Sequence, residues 1–136
     1  MLPEYFWPPV GIANYANDGQ SSASFYGPGV LWSSVKSHWT AGDWVLFQFG
    51  YGEGSASDAA VQANLAQYVA DAQAAGVNAV LIPPAARVTS IPIADQTNLH
   101  AVASQQAAAL ANPPVPFIDL TSLSTTWYNG VVRCTS

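Results

Sequence analysis

The sequence predicts an α/β protein, a three-layer α/β/α sandwich built on a flavodoxin-like parallel sheet. Three observations predict it. Short apolar runs at residues 43–50, 78–82 and 116–120 recur along the chain and are rich in Val, Leu, Ile and Phe. Stretches with helical spacing separate them, and glycine, proline or a capping residue marks each change of period. Strands that alternate with helices are joined by crossovers, which makes the strands parallel and puts helices on the sheet faces.

Each element has its own signal. Residues 10–16 fit a first strand, and Leu31, Val35 and Trp39 give residues 30–39 a helical spacing. The run at 43–50 lies between Gly42 and Gly50 and is almost continuously apolar, which predicts a central strand covered on both faces. Ser57 then caps a helix with Asp58 in its first turn. Its apolar residues are Val61, Leu65, Tyr68, Val69, Ala72 and Ala75, and Gly76 ends it. Residues 78–82 form a buried strand stopped by Pro83 and Pro84. A second helix runs from about Asp95 to Asn112, with Leu99, Val102, Gln106 and Leu110 on one side, before a last strand at 116–120.

A length of 136 residues suits one domain. No repeat or low-complexity linker divides it, so residues 1–11 read as a proline- and aromatic-rich arm and residues 12–136 as the domain. Only 8% of the residues are charged, with three Lys or Arg against eight Asp or Glu and a net charge of -5. Lys36, Arg87 and Arg133 make no basic stripe, which argues against nucleic acid and against an anionic membrane surface. No stretch has the length and apolarity of a bilayer span. Two histidines without ligand spacing predict no metal site, and no glycine-rich phosphate loop predicts a nucleotide or other cofactor. Sparse charge with many aromatic, Ser, Thr, Asn and Gln residues predicts an extracellular protein, although the first ten residues lack the features of a secretory signal. Cys134 alone excludes a disulfide within the chain.

In a parallel sheet the loops leaving the strands' carboxyl ends meet at one edge, and ligands bind there. Those loops carry a resemblance. Asn17-Asp-Gly-Gln-Ser-Ser-Ala-Ser-Phe25, followed by Ala41-Gly-Asp-Trp-Val-Leu-Phe-Gln-Phe-Gly50, resembles the second and third blocks of the SGNH (GDSL-type) hydrolases. Within that superfamily these blocks resemble the rhamnogalacturonan acetylesterases. Ile82-Pro-Pro-Ala-Ala-Arg87 and Val115-Pro-Phe-Ile-Asp-Leu120 extend the likeness over about residues 12–126. The resemblance implies a truncated SGNH-hydrolase fold lacking its first strand and last helix. It also implies hydrolysis of acetyl esters on polysaccharides, with the Gly19 amide donating to an oxyanion.

The family's other catalytic positions do not carry over. Gly-Asp-Ser is absent, Tyr51, Gly52 and Glu53 replace the third block's His, Asn and Asp, and no Asp-x-x-His follows Leu120. Loss of one oxyanion donor costs about 3 to 4 kcal/mol of transition-state stabilisation, and loss of a triad member roughly 10⁴-fold in rate. Ser21 or Ser22, with His100 as base and Asp95 as orienter, would be a relocated set. The plainer account makes His100 a half-buried packing residue on a helix face.

A second constellation is Asp18, Gln20, Tyr51, Glu53 and Arg87, each near the end of a predicted strand. Amide, carboxylate and guanidinium groups beside an aromatic ring suit the hydroxyls and apolar face of a sugar, so a polysaccharide is the ligand class this predicts. In the plainer account Arg87 pairs with Glu53 or Asp18 and Tyr51 fills space. Five Trp with six Tyr and five Phe also predict apolar surface that the arm, the tail or a second copy of the chain must cover. The function expected is a catalytically degenerate SGNH-like protein acting by carbohydrate or protein binding and self-association as a homo-oligomer. The alternatives are a carbohydrate acetylesterase with relocated residues and an inactive fragment of one.

Overall fold

The apolar run after Gly42 becomes strand β1 (Trp44–Phe47), and the run after Val77 becomes β2 (Asn78–Leu81). In this computed structural model, which describes residues 10–88 and 99–133, the two strands pair in parallel with Trp44 opposite Asn78 and Phe47 opposite Leu81. The other elements are helices α1 (Ser22–Tyr26), α2 (Val30–Ser37), α3 (Asp58–Ala74), α4 (Ala101–Leu110) and α5 (Leu120–Arg133). The α/β class with parallel strands is therefore the one observed.

Helix α3 is the crossover between the strands, and it forms as its sequence directs. Ser57 Oγ accepts from the Ala60 N–H at 3.3 Å, and Gly76 turns the chain at φ +72°. The apolar stripe Val61, Leu65, Tyr68, Val69 and Ala72 is buried. Against it pack Phe47 of β1 and Trp32 of α2, with Trp32 4.6 Å and Phe47 5.3 Å from the Tyr68 ring centre. Trp32 meets Tyr68 edge-on, with 75° between the ring planes, an arrangement that gains attraction beyond burial and ties α2 to α3.

Polar anchoring completes this corner. Asp71 Oδ2 accepts from Tyr26 OH at 3.2 Å, Trp32 Nε1 at 2.8 Å and Lys36 Nζ at 2.9 Å. Burial alone would raise the Asp71 pKa. Hydrogen bonds from Lys36, Trp32 and Tyr26, with the Lys36 charge, outweigh it and hold the carboxyl below its ordinary value. A carboxylate depressed in the folded state contributes stability above its unfolded pKa and loses it as pH falls through the folded one. The gap in Tm between the wild type and Asp71→Asn should thus be steady at neutral pH and shrink as pH drops through about 4 and below. A pH-independent gap would mean that Asp71 acts without its charge.

The structure corrects several expectations. Residues 10–16 form no strand, and Val10 and Ile12 are exposed. The last strand shrinks to one parallel bridge between Leu81 and Phe117, because prolines at 113, 114 and 116 lack donors and α5 begins at Leu120. Helix α4 begins at Ala101, after His100 in the left-handed region at φ 54°, so Leu99 and His100 are not part of it, and the expected start near Asp95 lies outside the described residues. It packs along α3 through Ala103, Ala107 and Ala108, whose small side chains admit a close approach, and Val102 and Leu110 face outward. Nor is β1 covered on both faces. Val45, Phe47 and Phe49 face the helices, while Trp44 remains 65% and Leu46 59% exposed on the other side. The expected arm at residues 1–11 falls mostly outside the described residues, as do Asp95 and Cys134.

Candidate site at the carboxyl ends of the strands

Three loops converge where β1 and β2 end, and glycines let them touch. A Cβ on Gly52 would lie 2.6 Å from the Gln20 carbonyl oxygen, so the turn at 50–54 and the turn before α1 meet backbone to backbone. A Cβ on Gly50 would lie 2.6 Å from the Leu99 carbonyl oxygen and 2.7 Å from the Pro84 ring. Only glycine permits such approaches.

Glu53 is drawn inward from this edge. Its Oε1 accepts from the Ser22 N–H at 2.8 Å and its Oε2 from Ser22 Oγ at 3.0 Å, and both residues are buried. Asn64 Nδ2 donates to Ser22 Oγ at 3.0 Å, and Tyr68 OH donates to the Ser22 carbonyl at 2.7 Å. The carboxylate thus satisfies amide and hydroxyl donors that the first turn of α1 would otherwise bury unpaired. Burial, then the charge of Glu53 and the neighbouring Tyr26, push the Tyr68 pKa up, so its hydroxyl stays a donor.

Tyr51 and Arg87 stay outside. The Tyr51 hydroxyl donates to the Ala85 carbonyl, which fixes an exposed ring, and the Arg87 guanidinium sits 4.6 Å over that ring. The loop beneath is held from α5: Thr121 Oγ1 donates to the Pro84 carbonyl at 2.6 Å, and the Ala86 N–H donates to Ser124 Oγ at 2.7 Å. Arg87 therefore stacks on Tyr51, and its contact with that ring was not anticipated from the sequence.

The relocated triad is placed differently from its expectation. Ser21 caps α1, its Oγ accepting from the Ser24 N–H at 3.1 Å, and Ser22 is enclosed with Glu53. His100 is buried, and its Nδ1 lies 2.6 Å from Asp58 Oδ1, at the start of α3. The carboxylate accepts, which puts the ring hydrogen on Nδ1. Asp58 was missed as a partner because its position in the first turn of α3 already explained it. Asp18 is exposed, Gln20 half-buried beside Gly52, and Gly19 turns the chain at φ +74°. Among the described residues no three His, Cys, Asp or Glu side chains gather as metal ligands.

The architecture has a counterpart of known structure. The crystal structure of protein YXIM from Bacillus subtilis matches with a TM-score of 0.81 at 23% identity, over 96% of this chain and 39% of that one. The chain therefore spans well under half the length of that protein, and what the two share is the fold. No family model matches the sequence, and no curated protein matches it.

Proposed function

We propose that this domain is a catalytically degenerate, extracellular relative of the SGNH hydrolases that binds carbohydrate at the carboxyl edge of its sheet without cleaving it. The observation that carries the reading is the division of labour at that edge. Ser22 and Glu53 are enclosed together, whereas Tyr51 presents a ring held by Ala85 and backed by Arg87. A ring fixed before binding loses little freedom on contact with a pyranose face, and Arg87, Gln20 and Asp18 supply donors and acceptors for hydroxyls. The resemblance to rhamnogalacturonan acetylesterases makes an acetylated pectic chain the ligand to try first. Titration with rhamnogalacturonan oligosaccharides by calorimetry should show binding that Tyr51→Ala and Arg87→Ala each weaken about tenfold, the loss of roughly one good contact. Affinity unchanged in both variants would remove the site.

The second reading, an acetylesterase with moved residues, is favoured by the short contact between His100 and Asp58. It predicts release of p-nitrophenol from its acetate that disappears in Ser21→Ala and His100→Ala. The degenerate reading predicts no release above background.

A further inference from the structure

The loop at 83–86, which leaves β2 toward the candidate site, carries no side chain that can anchor it. Pro83 and Pro84 lack an N–H, and Ala85 and Ala86 lack polar side chains. Its backbone groups are held instead by hydroxyls from elsewhere in the chain. Thr121 Oγ1 donates to the Pro84 carbonyl at 2.6 Å, Tyr51 OH donates to the Ala85 carbonyl, and the Ala86 N–H donates to Ser124 Oγ at 2.7 Å. Three successive residues are thus tied by three hydroxyls, and the middle hydroxyl belongs to the exposed ring itself.

Helix α5 supplies the outer two from one face, since residues three apart on a helix are neighbours. Ser124 Oγ gives its hydrogen to its own helix, with the Leu120 carbonyl at 2.6 Å and that of Thr121 at 3.1 Å. The oxygen is left to accept from Ala86. Thr121 is buried and branched at Cβ, which restricts its rotation and keeps its hydroxyl on Pro84. Leu123, Trp127 and Val131 are exposed, so α5 meets the loop by its hydroxyl side. The next residue along the loop is Arg87, over the Tyr51 ring.

We propose that Thr121 and Ser124 are positioning residues for Tyr51 and Arg87, so that the seating of α5 governs how tightly this edge of the sheet binds its ligand. Both hydroxyls are occupied by the loop and act on a ligand only through it. A ring held in place before contact loses less freedom when a sugar arrives, and a loosened loop restores that cost. The link to affinity rests on the carbohydrate reading, whereas the link between α5 and the Tyr51–Arg87 pair stands without it.

Two readouts separate these links. Without ligand, the ring current of Tyr51 should shift the Arg87 side-chain protons upfield in the NMR spectrum, because the guanidinium lies over the ring face. Thr121→Val keeps the shape and removes the donor, and Ser124→Ala removes the acceptor. Both should move the Arg87 protons toward their positions in Tyr51→Ala. Thr121→Ser should restore them, and Thr125→Val, which loses a hydroxyl that donates within α5, should leave them in place. With rhamnogalacturonan oligosaccharides, Thr121→Val and Ser124→Ala should weaken binding about two- to tenfold, the cost of ordering one side chain on contact.

Arg87 shifts unmoved in Thr121→Val and Ser124→Ala, or moved equally by Thr125→Val, would overturn the proposal. Should the variants fail to fold, the wild type decides: the Ala86 amide should be protected from hydrogen exchange, and exchange at the rate of an open loop would contradict its bond to Ser124. Unchanged affinity in variants whose Arg87 shifts have moved would overturn the link to affinity. A wild type that binds no oligosaccharide would end the carbohydrate reading, with the Arg87 shifts still deciding the positioning.

Discussion

Tyr68→Ala is expected to leave the domain unfolded or close to it at room temperature. The Tyr68 side chain is fully buried, with Trp32 at 4.6 Å, Tyr26 and Phe49 at 5.1 Å and Phe47 at 5.3 Å between ring centres. Truncating a buried aromatic costs about 3–5 kcal/mol through lost burial and the cavity left behind. Removing the hydroxyl also takes a donor from the Ser22 carbonyl, which adds about 1 kcal/mol or more. Domains of this kind are stable by only about 5–15 kcal/mol, so the sum consumes much of the reserve. Tyr68→Phe keeps the ring and loses only the hydrogen bond, and should cost about 1–2 kcal/mol. Urea unfolding followed by tryptophan fluorescence separates the two. Equal losses would mean that the hydroxyl, and not the ring, dominates at this position.

The second large effect is expected for Glu53→Ala. The substitution orphans the buried Ser22 N–H and alters the hydrogen bonding of Ser22 Oγ, both of which donate to the carboxylate. Hydrogen bonds to a charged group contribute about 1.5–3 kcal/mol each, and unpaired buried donors are costly, so a loss of about 3 kcal/mol or more follows. Ser22→Ala should cost less, because the amide bond to Glu53 Oε1 survives. The same urea titration reads both. A Glu53→Ala variant as stable as the wild type would contradict the inward role assigned to this carboxylate and return it to the surface constellation.

The parts of the fold that the sequence made legible are those fixed by local signals. Helix α3 carries its own cap, its own stripe and its own terminating glycine, so nothing distant had to be known. Strands β1 and β2 were marked by apolar runs of the right length between breakers. The last strand misled because an apolar run says nothing of whether enough amide donors remain to build a ladder beside Pro113, Pro114 and Pro116. Trp44 and Leu46 misled for another reason: apolarity predicts what a face prefers, not whether a neighbour is present to cover it.

The placement of Tyr51, Glu53 and Arg87 at the carboxyl ends of the strands was legible in the sequence, and their hydrogen bonding only in part. They lie on the two loops that leave β1 and β2, as a parallel sheet requires. Glu53 turned toward Ser22, and His100 toward Asp58, contacts that span 31 and 42 residues of sequence. Such pairings depend on how α1 and α3 meet the loops, which no local pattern encodes. Arg87 lies over Tyr51, while the carboxylate of Glu53 is enclosed with Ser22.

The most direct test of the account is amide chemical-shift mapping during titration with acetylated rhamnogalacturonan oligosaccharides, with free acetate monitored in the same tube. The account predicts saturable shifts centred on Gln20, Tyr51, Gly52 and residues 85–87, with no acetate released. Shifts that leave those residues untouched, or acetate release that Ser21→Ala or His100→Ala abolishes, would contradict it.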